Sequence, residues 1–255
     1  MITDAGLTGY QDPYIRDMSD RLAELILRRD YLIHHESLDL STEYMMKVGS
    51  KELAVYRKQV EYRRLRRRLA KLRAYLNRGE IPDTRKVEEE LDEEFREYER
   101  KIEEQTAEMR KLIYRLGGEE LSPEESKELR DMYTKVVKRL HPDLNPGQDE
   151  DGLEAYRMAV EAYKNADLTT MRAIFWIVVD GKETEVPEKD LKQRIMEVEA
   201  DIDRILRAFP FDKRDFLKDR EAIIERNREL DYMMEDYEDQ ICIINGAIAK
   251  LGVDA

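Results

Sequence analysis

One cysteine, Cys242, stands in 255 residues, so no disulfide can form within the chain, and a reducing cytoplasm is the expected compartment. Cys242 lies in an apolar helical stretch with no histidine nearby, which reads as a packing thiol and not a nucleophile. Histidine is nearly as scarce, at three. Two of them, His34 and His35, are adjacent and point to different sides of a helix, without a cysteine or a second histidine four residues on. They read as surface residues, not metal ligands. No serine sits in a nucleophile-elbow pattern, and no glycine-rich loop is present to cradle a phosphate. The abundant glutamates sit at solvated helical spacings. No catalytic residue, cofactor or metal is therefore expected, and the chain does not read as an enzyme.

Long apolar runs are missing too. The most apolar stretch, Ala173-Ile-Phe-Trp-Ile-Val-Val179, is far too short to span a bilayer and reads as the end of a buried helix closed by Asp180-Gly181. The N-terminus lacks the charged-then-apolar layout of a secretory signal. Glycine (11) and proline (7) are sparse while 40% of residues are charged, a profile of long helices and coiled coils. The net charge of −13 argues against a generic nucleic-acid or membrane binder. The fold class expected is all-α.

Taken in order, residues 1–11 carry no period and read as a loose arm. A helix begins at Pro13, with Ile15, Met18, Leu22 and Leu25 on one stripe, and fades around His34-His35-Glu36. Leu38 to Ser50 reads as a connector ending in a Gly49-Ser50 cap, which completes an N-terminal segment over 1–48. Residues 49–110 read as a hairpin of two long arms. Leu53, Tyr56, Val60, Leu65, Leu69, Leu72 and Leu76 line the first arm, and Asn77 to Thr84 turns the chain. Leu91, Phe95, Tyr98, Ile102, Gln105, Met109, Leu112 and Leu116 then recur in steps of four and three, the period of a coiled-coil seam with Gln105 as a polar register position.

The first arm contains Tyr62-Arg-Arg-Leu-Arg-Arg-Arg-Leu-Ala-Lys-Leu-Arg73, which in isolation resembles a nucleic-acid patch. Folding at the turn sets Arg57 to Arg73 opposite the stretch from Glu90 to Glu104, with Glu93, Glu94, Glu97, Glu99 and Glu103 in it. Interleaved acids cancel the potential that phosphate contacts need, and no stacking platform supports RNA binding. Exposed pairs of this kind contribute about 0.2–1 kcal/mol each, so they select register more than they stabilise. A second hairpin is expected over 187–255: Leu191, Ile195, Val198, Ile202, Ile205 and Phe209 go out, Phe209-Pro210-Phe211-Asp212 turns, and Ile223, Leu230, Met234, Tyr237, Ile241, Ile244, Ile248 and Leu251 return. Asn227 falls on the seam as a register device. The return arm outruns its partner, and either the helix from Pro13 or a second copy of the chain would cover the surplus.

The stretch that concentrates chemistry is Tyr133-Thr-Lys-Val-Val-Lys-Arg-Leu-His141-Pro142-Asp143-Leu-Asn-Pro-Gly147. A basic amphipathic helix stops at Leu140 or His141, because Pro142 cannot continue it. Taken alone, histidine against the helix dipole, a stopping proline and a turn aspartate are punctuation. The neighbours add more. Ser122-Pro123-Glu124-Glu125 has the hydroxyl, proline and glutamate of a capped helix start. Tyr156 and Tyr163 lie seven apart on one face of a following helix. Two similar helices thus form an antiparallel hairpin with His-Pro-Asp at its tip.

The segment 111–180 resembles a J-domain, the module by which DnaJ-type co-chaperones engage DnaK-type chaperones. Tyr133 matches the aromatic of the family's helix II, Arg130, Lys135 and Arg139 match basic positions, and His141, Pro142 and Asp143 match the signature. Asn145 matches the residue two beyond it. Tyr156 and Glu161-Ala162-Tyr163 resemble helix III, Asp167 to Arg172 a short helix IV, and Leu112 to Gly117 helix I as the rigid end of the preceding coiled-coil arm. Thr134 and Leu144 depart from the pattern, since both positions are usually basic. The resemblance implies a J-domain-like module between two long antiparallel coiled-coil hairpins. It further implies a co-chaperone whose surface at Arg130, Lys135, Lys138, Arg139, His141, Pro142, Asp143 and Asn145 docks on a DnaK-type chaperone and promotes its ATP hydrolysis. The arms would bind a client or a scaffold protein. The rival expectation is a coiled-coil scaffold that keeps a J-like fold without a chaperone partner.

Overall fold

The computed structural model describes residues 13–116, 121–178 and 188–252, and among them the chain is helical with no strand. Helix α1 (Pro13–Tyr31) passes through a π-turn at Leu32–Glu36 into α2 (Ser37–Tyr44), then through a second π-turn at Met45–Gly49 into α3 (Ser50–Asn77). Then follow α4 (Thr84–Leu116), α5 (Pro123–Leu140), α6 (Glu150–Lys164), α7 (Leu168–Val178), α8 (Glu188–Arg207), the short α9 (Arg214–Lys218) and α10 (Arg220–Ala249). The loose arm over 1–11, Gly117 and the Asp180-Gly181 closure lie outside the described residues.

The connector expected from Leu38 to Ser50 is helical. Ser37 to Tyr44 holds no glycine or proline, and each flanking π-turn admits an extra residue, which rotates the buried face without breaking the backbone. Gly49 is no cap. It sits inside the helix, and a Cβ there would meet the Met45 sulfur and the Tyr44 ring.

The helices sort into two compact units, Met1–Asp39 with Glu119–Asp212 and Leu40–Gly118 with Lys213–Ala255. In the first, α5, α6 and α7 pack on one another, α1 lies along α5, and α8 lies along α1. Ion pairs and ring contacts give the directions. Tyr31 meets Arg130 and Asp20 meets Lys138, so α1 and α5 are antiparallel. Tyr14 meets Lys192 and Arg21 meets Glu199, so α1 and α8 are parallel. Met18, Leu22, Ala23 and Ile26 of α1 and Leu191, Ile195, Val198 and Ile202 of α8 are buried, the four-three spacing of a helix seam.

In the second unit, α3 packs against both α4 and α10. The turn after Asn77 closes with Gly79 at φ +74°, a conformation glycine adopts without a Cβ penalty. The antiparallel charge match between α3 and α4 forms: Arg64 pairs with Glu88 and Asp92 at 2.7 and 2.6 Å, Arg67 with Glu94 at 2.8 Å, and Lys71 with Glu90 and Glu94 at 2.6 and 2.8 Å. Hydrogen bonds from Arg67 and Lys71 hold the Glu94 carboxyl down at about 2. Leu69, Leu72, Val87, Leu91 and Phe95 form the core beneath, joined by Ile244 and Ile248 of α10. The seam fades along α4, however. Ile102 is half-buried and Gln105 is exposed, so Gln105 is not a core register position; Thr106, bonded to Arg57, faces the partner helix instead.

The second hairpin is corrected. Its outgoing arm, α8, lies along α1, and its return arm, α10, lies along α3, running parallel to it with Lys51 beside Asp231 and Gln59 bonded to Tyr237. The surplus of the return arm packs on α3 and α4. The four-three rhythm shows that each arm has a partner but cannot say which stripe of equal period it meets. Asn227 lies at a different interface from the expected seam: its side-chain amide donates to the Lys47 carbonyl, inside the second π-turn, at 2.9 Å. Cys242 is exposed, the opposite of a packing thiol. In the apolar stretch of α7 only Ile174 and Val178 are buried among the described residues, while Trp176 and Ile177 are exposed.

Packing and charge make separable contributions in the second unit. Leu72→Ala, at a fully buried position, is expected to lower unfolding free energy by about 2–5 kcal/mol. Arg67→Ala, at an exposed ion pair, should change it far less. Urea unfolding followed by circular dichroism checks both, and comparable losses would contradict a core-dominated unit.

Candidate docking corner

The corner is built where α5 stops. Ser122 and Glu125 form the anticipated reciprocal cap at the helix start, with the Ser122 N–H donating to Glu125 at 2.9 Å and the Glu125 N–H to Ser122 Oγ at 3.2 Å. At the other end His141 leaves helical geometry, at φ −66° and ψ 129°, as a residue before proline should. Its carbonyl then accepts from the N–H groups of Leu144 and Asn145 at 2.9 and 2.8 Å. Two side-chain amides close the open end of α5: Asn145 Nδ2 donates to the Lys138 carbonyl at 3.0 Å, and Gln148 Nε2 to the Leu140 carbonyl at 2.7 Å. Asp149 starts α6 by accepting from the Gly152 N–H. The turn is therefore stiff by internal bonding as well as by Pro142.

The named side chains divide between surface and interior. Pro142 is exposed at the tip. His141 is buried, with its ring edge on Tyr156 at 5.1 Å between centroids and its Nδ1 accepting from the Asp143 N–H at 3.1 Å. That bond places the proton of the neutral ring on Nε2. Burial pushes the imidazole down to about 4, and the nearby Asp143 carboxylate only partly offsets it. Asn145 is 5% exposed and acts as the helix cap just described, so it offers no surface to a partner and is removed from the docking set. Leu144 is buried as well, which gives a packing reason for an apolar residue where the resemblance has a basic one.

The cations of α5 do not share one environment. At 100° per residue Arg130, Thr134, Lys138 and Lys135 span the solvent arc, and Arg130, Lys135 and Lys138 are exposed. Arg130 lies over the Tyr31 ring at 5.2 Å, Lys138 pairs with Asp20 at 2.7 Å, and Lys135 lies over the Phe175 ring at 5.2 Å. Arg139 is half-buried, and its Nε is buried without a hydrogen-bond partner. Asp143, half-buried, has Arg194 Nε of α8 at 3.4 Å.

Beneath the arc runs a contact set that the motif did not indicate. The Tyr133 hydroxyl donates to Asp30 at 2.7 Å, Asp30 also accepts from Arg29 Nε and Nη2 at 3.1 and 3.0 Å, and Tyr133 stacks on Tyr163 at 4.1 Å. Burial opposes the Arg29 charge, but the Asp30 carboxylate outweighs that and raises it; burial and Asp30 together push Tyr133 far up, so its hydroxyl stays a donor. His35 meets Tyr163 edge-on at 4.6 Å, and both His34 and His35 are half-buried, not free surface residues. The only prior signal for this set was an acid at the end of an apolar stripe. The helix I expected over 112–117 falls, as far as it is described, in the end of α4 within the second unit, and α1 is the helix that covers α5. No group of three or more metal-binding side chains occurs among the described residues, and no described helix is long and apolar enough to cross a membrane.

Because folded His141 holds its proton less tightly than the usual value of 6.5, the unfolded chain takes up a proton first as the pH falls. Its contribution to stability is intact above about pH 6.5, is lost progressively toward pH 4, and changes little below. Melting temperatures at pH 7.5 and pH 4.5 should therefore drop more for the wild type than for His141→Gln; equal drops would contradict the burial of a neutral ring.

Comparison with protein-family models, with curated proteins and with solved structures returns no match for this chain.

Proposed function

We propose that the α5–α7 module is a J-domain-like docking element that engages a DnaK-type chaperone and promotes its ATP hydrolysis. The observation that carries the reading is the continuity of one surface. The exposed cations Arg130, Lys135 and Lys138 lead along a single helix to an exposed Pro142, at a corner fixed by the bonds of His141, Asn145 and Gln148. A partner would meet cations first and a rigid tip second, an order that favours fast, charge-steered encounter. His141 would act by shaping the turn, since its ring is buried and neutral at pH 7. The α3–α4–α10 unit then offers a helical surface for a client or scaffold protein. Its arginine-rich arm is engaged by its own acids at Arg64, Arg67, Arg68 and Lys71, which argues against RNA as its ligand.

A second reading, an architectural J-like fold in a helical scaffold, is favoured by the engagement of Asp143 with Arg194 and of Lys138 with Asp20 within the chain. Single-turnover ATP hydrolysis by a DnaK-type chaperone separates the two. Stimulation by the wild type, lost in His141→Gln, is expected; equal unstimulated rates with both proteins would leave the scaffold.

A further inference from the structure

We propose that α8 is a built-in competitor for the docking corner, with Arg194 holding Asp143 until a partner displaces it. The inference rests on the docking reading above and adds its regulation. Arg194 follows Leu191 and precedes Ile195, both buried in the α1–α8 seam, so an apolar interface fixes the backbone that carries the guanidinium. The guanidinium itself is half exposed and stands between two acids: its Nε is 3.4 Å from Asp143, and its Nη1 is 2.9 Å from Glu197 on its own helix. It can leave Asp143 and keep an ion pair, without the seam opening. On the other flank Lys138 is tied to Asp20 of α1, the helix that α8 backs. The apolar contacts of α8 are thus made with α1, and its contact with the corner is a partly exposed ion pair that competes weakly. Exposed pairs of this class shift an equilibrium by about 1.5- to 5-fold. That is a restraint a partner can overcome, and one that raises the threshold for docking.

The test uses the full chain as wild type, Arg194→Ala and Glu197→Gln. Amide hydrogen exchange over 143–145, read without any partner, should quicken by about 1.5- to 5-fold in Arg194→Ala and slow in Glu197→Gln, where Arg194 loses the acid that competes most directly with Asp143. Affinity for an ATP-loaded DnaK-type chaperone should rise by a similar factor in the first variant and fall in the second, with unchanged maximal stimulation. Unaltered exchange in Arg194→Ala would overturn the restraint itself. Unaltered or weaker chaperone binding by Arg194→Ala, with a wild type that stimulates, would overturn the competition while leaving the docking reading in place. Faster exchange with no stimulation by any of the three proteins would overturn the docking reading, and the competition with it.

Discussion

A buried carboxylate must be paired or it becomes a severe penalty, and Asp30 is paired twice. Arg29 supplies charge from the same helix, and the Tyr133 hydroxyl supplies a bond from α5. Only the second reaches across, so among the contacts between α1 and α5 the buried one that fixes register is the Tyr133 hydroxyl at 2.7 Å, with Tyr31–Arg130 and Asp20–Lys138 at the surface on either side. Apolar burial would allow α1 to slide along α5 by a turn; a single acceptor that must find a single donor does not. Tyr133 is itself clamped from behind by Tyr163, so the constraint passes from α1 through α5 to α6. Along α5, Arg130 meets Tyr31 on one side of Tyr133 and Lys138 meets Asp20 on the other.

Much of this arrangement was legible in local chemistry. The cap at Ser122, the stop before Pro142, the turn at Gly79, and the facing of arginines by glutamates each depend on residues close in sequence or on a single fold-back. What escaped was the choice among partners of equal period. The stripe Leu191–Ile195–Val198–Ile202 matches α1 and the return arm equally well by spacing, and the connector at 38–50 lacked the breakers that a loop needs. Of the candidate site, His141, Pro142 and Asp143 were assigned to one tip and lie there. Asn145 was taken as surface, because side-chain capping of a distant carbonyl leaves no trace in spacing. Asp30 left only the trace of an acid at the end of an apolar stripe, because a bond to a tyrosine 103 residues away has no spacing of its own.

The second unit solves a different problem with the same means. Asn227 of α10 donates to the Lys47 carbonyl in the π-turn at Met45–Gly49, while Arg226 reaches Glu52 with two nitrogens, at 3.1 and 2.8 Å. Polar contacts fix where α10 lies along α3, and Val48, Val55 and Leu230 fill the space between. In both units apolar seams hold helices together and a few directional bonds choose the register.

The claim on which the account depends is that Asp30 and Tyr133 act as a pair. A double-mutant cycle of Asp30→Ala and Tyr133→Phe, followed by denaturant unfolding, measures that directly. A coupling of about 0.5–3 kcal/mol is the predicted result. Strictly additive losses would mean that the two side chains do not depend on each other, and that α1 is placed on α5 by something else.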